Sequence, residues 1–179
     1  MKLVLGIDPG TAVTGFGVVA LDGRVTTLVE CGVIRTNARD PLPKRLHEVH
    51  QGVVELIARH RPDTISIEDV FYAKNVRTTV VLGHARGVIL LAGQQAGLSI
   101  REYPPSEIKK AITGRGSATK EQVQFMVTRL LRLKSAPQPA DAADGVAAAL
   151  CACMSASLPK MPEFSLSALL AKAAQEKRR

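Results

Sequence analysis

Apolar residues fall along this chain in two rhythms, one of strand type and one of helix type, and the switches between them divide it into elements. Residues 3–8, 15–21 and 25–35 are apolar or alternating runs of strand length, with Asp22-Gly23 as a hairpin turn between the second and third. From residue 42 the spacing becomes helical: Leu46, Val49, Val53, Leu56 and Ile57 share one face, and Pro62 stops the run near residue 60. A fourth strand over 64–68 is followed by a long helical stretch over 76–96, capped by Gly97. A fifth strand around Leu98–Tyr103 runs into Pro104-Pro105, which reads as a break. Two more helices are predicted, at Lys120–Leu133 and at about 140–156. Three antiparallel neighbours followed by alternating helices and strands imply an α/β fold, a mixed five-stranded sheet flanked by helices on both faces. That pattern fills residues 1–157. The tail 158–179 starts with Pro159 and Pro162, carries Leu166, Leu169, Leu170 and Ala173, and reads either as a weak amphipathic helix or as a frayed terminus.

Composition narrows the partners more than the fold. A chain of 179 residues is long enough to bury roughly 70% of its unfolded surface in one core. The formal net charge of +8 points to a polyanionic partner. No apolar run approaches the ~20 residues of a spanning helix, so a membrane is not expected and an intracellular, cytoplasmic protein is. Cys31, Cys151 and Cys153 have no zinc-ligand spacing and read as buried thiols, while His47, His50, His60 and His84 form no ligand motif.

Charge inside the apolar pattern is where chemistry enters. Asp141 and Asp144 interrupt a run of small apolar residues three positions apart, which on a helix projects both carboxylates from one face. Asp8 ends the apolar run Leu3–Ile7 and Glu68 ends Thr64–Ile67, and an acid at the end of a core strand is costly without a partner. Two carboxylates about 4 Å apart repel by about 4 kcal/mol at an effective dielectric near 20, so four acids from three segments call for divalent cations. Asp141 alone has a simpler reading, as an acid at the positive end of a helix dipole, but that leaves Asp144 unexplained. Hard oxygen ligands suit magnesium. Gly6–Gly17 around Asp8 reads either as a turn with close backbone approach at Gly15 and Gly17, or as a glycine-lined space for a phosphate. Taken alone it fits an actin-type ATP-binding fold equally well, although this chain is short for a two-lobed kinase.

Aromatic and basic residues cluster around the acids in sequence. After Glu68 come Phe71, Tyr72, Lys74, Asn75 and Arg77, adjacent aromatics in a chain only 3% aromatic; on an exposed loop they can stack on an unpaired base, and as structure Phe71 fills a core. Asp69 reads as solvated. Lys109, Lys110, Arg115 and Lys120 gather around Gly114-x-Gly116, a loop able to lie against phosphate.

Taken together, Asp8-Pro-Gly10, Ile67-Glu-x-Val-Phe-x-Ala-Lys-Asn75, Leu82-Gly-x-Ala-Arg-Gly87, Gly114-x-Gly-Ser-Ala-x-Lys120 and Ala140-Asp-Ala-Ala-Asp144 resemble the RuvC Holliday-junction resolvases of bacteria, in the right order over about residues 1–155. The resemblance implies a ribonuclease H-like fold and a homodimer that nicks two opposed strands of a four-way DNA junction, dependent on Mg²⁺, two ions per subunit, with Mn²⁺ able to substitute. It implies a catalytic and metal-binding tetrad at Asp8, Glu68, Asp141 and Asp144, a stacking role for Phe71, essential lysines at Lys109 and Lys120, and a dimer interface on helix 76–96. Lys110 competes with Lys109 for its role. It further implies 5′-phosphate and 3′-hydroxyl ends, partners among branch-migration proteins of the RuvA and RuvB type, and work at the nucleoid. The alternatives are an RNA-processing nuclease of related fold and a junction-binding module without catalysis.

Overall fold

In a computed structural model of the protein, residues 1–69 and 76–156 are described. Among these residues ten elements follow one another: β1 (Lys2–Asp8), β2 (Val13–Asp22), β3 (Val25–Arg35), α1 (Leu42–His60), β4 (Thr64–Glu68), α2 (Val76–Gln95), β5 (Ser99–Tyr103), α3 (Pro105–Thr113), α4 (Lys120–Leu130) and α5 (Ala140–Ala156). The strands form one sheet in the order β3-β2-β1-β4-β5. β1, β2 and β3 pair antiparallel, whereas β4 and β5 join β1 in parallel, so the sheet is mixed as the pattern predicted.

Strand alternation sends the central strands' side chains to two separate cores. Leu5, Ile7, Phe16, Val18, Ile65 and Ile67 face α1 and α2, where they meet Val49, Val53, Leu56, Ile89 and Ala92. On the other face Val4, Val19 and Tyr103 join Ile108, Ile112, Val123, Val127 and the small residues of α5. By the same alternation Asp8 and Glu68, each the last residue of its strand, belong to the α5 face.

Two elements differ from the sequence pattern. Pro104-Pro105 does not end structure but starts it: Pro105 opens α3, where its missing N–H costs nothing and its fixed φ favours a helix. Lys109 and Lys110 therefore lie on a helix that leads into the turn at Gly114. α4 stops at Leu130, not Leu133, because Arg132 takes a left-handed φ of 53°. Cys151 and Cys153 are buried thiols, as expected, whereas Cys31, on β3 at the edge of the sheet, is only partly buried. Among the described residues no helix is long and apolar enough to cross a membrane.

Candidate metal and nucleic-acid site

The register of the sheet places the first two acids. Ile7 of β1 lies opposite Ile67 of β4 in the parallel ladder, so Asp8 and Glu68 leave neighbouring central strands at the same end. Asp141 and Asp144 reach the same place because α5 lies unusually close to the sheet. A Cβ at Gly15 would stand 1.9 Å from the Asp141 carbonyl oxygen, one at Gly6 2.2 Å from the Gly145 carbonyl, and one at Gly17 2.5 Å from Val146 Cγ2. Gly145 on the helix is equally constrained by Phe16. The buried Ser66 hydroxyl donates to the Ala148 carbonyl at 2.7 Å and pins the same face. Gly15 and Gly17 thus receive the backbone of α5, and the reading of a glycine-lined phosphate space is corrected: the room is filled by helix.

That contact sets Asp141 and Asp144, in the first turns of α5, beside Asp8. One carboxylate oxygen from each of the three lies within 4.8 Å of the others. Glu68 stands at the edge of this group, in a cleft of about 240 Å³ lined also by Pro105, Lys109, Lys120, Val123 and Asp144. The electrostatics register the crowding. Burial, then the charges of Glu68, Asp144 and Asp141, push Asp8 up to about 8. Glu68 is pushed up to about 7 by burial and by Asp144, against the pull of Lys109 and Lys120. Burial raises Asp144 too, although Lys120 counteracts it.

Lys120 opens α4, where a capping box between Thr119 and Gln122 fixes the first turn. A cation at a helix N-terminus is unfavourable to the dipole. Its partner explains it: Lys120 Nζ is 2.7 Å from Asp144 Oδ2. That hydrogen bond raises the ammonium above its usual value, so Lys120 stays charged at neutral pH. Lys109 and Lys110 separate on α3. Lys109 is half-buried in the Glu68 cleft, whereas Lys110 is exposed and lines a different groove with Pro104, Ser106 and Glu107.

Other residues singled out in the sequence lie farther off. Arg115 is exposed in the turn between α3 and α4, in a groove with Thr113 and the exposed ring of Phe125, which Arg129 covers at 5.3 Å. Arg77 is exposed in the first turn of α2. Phe71, Tyr72, Lys74 and Asn75 lie outside the described residues, as does the tail. Asp69 is not merely solvated: its carboxylate lies 3.3 Å from Arg86 Nη2. Arg86 belongs to a motif visible in the sequence, but no spacing rule connects it to Asp69 and Glu102, so its place could be found only from the fold.

Comparison with known proteins agrees with this geometry. The family model for crossover junction endodeoxyribonuclease RuvC matches residues 4–152. A protein of that name from Pelotomaculum thermopropionicum is 47% identical over 149 residues, 83% of this chain and 91% of the relative. Another, from Halorhodospira halophila, is 51% identical over 151 residues, covering 84% and 89%. The structure of Thermus thermophilus RuvC in complex with a Holliday junction substrate superposes with a TM-score of 0.82 at 36% identity, over 87% of this chain and 95% of that one. The yeast mitochondrial Holliday junction resolvase Ydc2, 11% identical, shares the fold with a TM-score of 0.62 over 84% of this chain and 78% of its own.

Proposed function

The chain belongs to the RuvC family, the crossover junction endodeoxyribonucleases, and from that premise we propose that it is a metal-dependent endonuclease resolving four-way DNA junctions by paired nicks. The observation that carries the proposal is the convergence of Asp8, Asp141 and Asp144 within 4.8 Å, with Glu68 and Lys120 beside them.

The donor set fits a hard divalent cation. Every member of the cluster is a carboxylate, and Asp8 resists ionisation until a positive charge compensates it. Asp8, Glu68, Asp141 and Asp144 would hold Mg²⁺, two ions per subunit, with Mn²⁺ as a substitute. Bound there, such ions supply polarisation of the attacking water and stabilisation of the leaving 3′ oxygen, which leaves 5′-phosphate and 3′-hydroxyl ends.

The chain's own residues do the rest. Lys120 orients Asp144 and presents a permanent positive charge where a phosphate oxygen gathers negative charge. Lys109 does the same on the Glu68 side, and its place in the cleft favours it over Lys110 for that role. Phe71, in the segment that follows Glu68, stacks on a base exposed at the junction, with Tyr72, Lys74, Asn75 and Arg77 holding the adjacent backbone. Lys110 and Arg115 contact the phosphates of an outgoing arm.

A two-fold junction calls for a two-fold enzyme. α2 buries Ala85, Ile89, Ala92 and Gly93 inward and leaves Val76, Val80, Gly83, Gly87 and Leu91 along its outer side. A Cβ at Gly83 or Gly87 would meet nothing, so a second helix can approach closely, and we assign the homodimer interface to this stripe. Branch-migration proteins of the RuvA and RuvB type are its expected partners, at the nucleoid in the cytoplasm.

The test is incubation of the full chain with a labelled four-way junction, a matched linear duplex and an RNA-containing control, in Mg²⁺ or EDTA, with sedimentation of the same preparation. The reading predicts symmetric nicks in the junction alone, lost in EDTA, from a species of twice the chain mass. Binding without cleavage in any divalent metal, or cleavage of the RNA control alone, would contradict it.

A further inference from the structure

The motif Leu82–Gly87 contains one charged residue that the proposed chemistry leaves without a task. Arg86 projects from α2 to the ends of two neighbouring strands, with its side chain 27% exposed. Its Nη2 lies 3.3 Å from Asp69 Oδ1 and also hydrogen-bonds the carboxylate of Glu102 on β5. Among the described residues its buried Nε has no hydrogen-bond partner, and its Nη2 contacts go to these two acids.

What those acids are attached to gives the bridge its meaning. Asp69 directly follows Glu68, and its N–H donates to the Tyr103 carbonyl at 2.8 Å. Ile67 pairs with Glu102 and Glu68 with Tyr103 in the parallel ladder. Cross-strand partners share a face, so Glu102 lies with Ile67 on the α2 side and Glu68 points the other way, toward Asp144. β4 has five residues and Glu68 is its last, so the ladder stops at the residue whose carboxylate must be placed. The charged bridge grips the chain immediately beyond it.

Accordingly, we propose that Arg86 is a positioning residue for cation binding: by tying Asp69 to Glu102 across the back of the sheet, it fixes the strand end that presents Glu68 to the acid cluster. This rests on the metal-nuclease reading above. Both contacts run through one nitrogen, Nη2, whose two N–H groups can each serve one carboxylate while the delocalised charge of the guanidinium does not titrate away. A partly exposed ion pair kept for stability alone would contribute little.

The test uses the full chain with Arg86→Lys, Arg86→Gln and Asp69→Asn, in three measurements: Mn²⁺ affinity by spin-resonance titration without DNA, junction nicking, and junction binding in EDTA. Arg86→Gln should lose about 10–100-fold in Mn²⁺ affinity and in nicking rate while binding the junction within about twofold of wild type. Arg86→Lys should recover part of that loss, and Asp69→Asn combined with Arg86→Gln should cost no more than Arg86→Gln alone, since both break one linkage. Wild-type Mn²⁺ affinity in every folded variant overturns the inference, whatever the nicking assay gives. Should Arg86→Gln fail to fold, Asp69→Asn and Arg86→Lys decide on the same criterion. A wild type that binds Mn²⁺ but leaves junctions intact defeats the function while the affinity series still judges Arg86, and a wild type that binds no Mn²⁺ overturns both.

Discussion

At the scale of single residues, the site stores an electrostatic conflict that the proposed cation would relieve. Asp8 titrates near 8 in the folded, metal-free protein against an ordinary value of 3.8, and Glu68 near 7 against 4.5. Well below the ordinary values of 3.8 and 4.5 each is protonated folded or unfolded and costs nothing. As pH rises, the unfolded chain gains charge that the folded chain resists, so metal-free stability is lost up to about pH 8 for Asp8 and about pH 7 for Glu68. The slope is at most about 1.4 kcal/mol per pH unit for each group. Melting temperatures in EDTA should therefore fall between pH 5 and about 8, more gently in Asp8→Asn, and saturating Mg²⁺ should flatten the wild-type curve. Equal slopes for wild type and Asp8→Asn would remove Asp8 from the conflict. The four acids were legible in the sequence because each breaks an apolar run, and a charge at a strand end or on a small-residue helix is costly unless something compensates it. Arg86 was not legible, because its partners are 17 and 16 positions away and meet it only when β4 and β5 align under α2.

At the scale of elements, the convergence of the acids depends on how closely α5 approaches the sheet. Gly15 is the position that tests this, since its missing Cβ leaves room for the Asp141 carbonyl. Gly15→Ala should cost about 1–3 kcal/mol in thermal or denaturant unfolding, as overpacking does, and should depress nicking far more than junction binding. Equal loss of both, or of neither, would argue against a helix-borne half of the site. The order of strands and most helices could be read from hydrophobic period alone. α3 was missed because two consecutive prolines signal a stop unless the second sits at a helix's first position, which only the three-dimensional path reveals. Without α3, the choice between Lys109 and Lys110 had no geometric basis; with it, one turns toward Glu68 and the other away.

At the scale of the whole molecule, a basic chain, an acidic centre and an outward apolar stripe on α2 form one design. The net charge of +8 attracts DNA while the acids, uncompensated, would repel a phosphate. Lys109 and Lys120 bring positive charge to the rim of the cluster, and in the proposed mechanism divalent ions would complete the neutralisation. The measurement that tests this most directly is junction binding and junction nicking, side by side in Mg²⁺, for Asp8→Asn, Glu68→Gln, Asp141→Asn and Asp144→Asn. All four variants should bind the junction as wild type does or more tightly, and each should lose nicking by about a hundredfold or more, the scale of a lost metal ligand. Persistent nicking in Asp8→Asn or Glu68→Gln would contradict it.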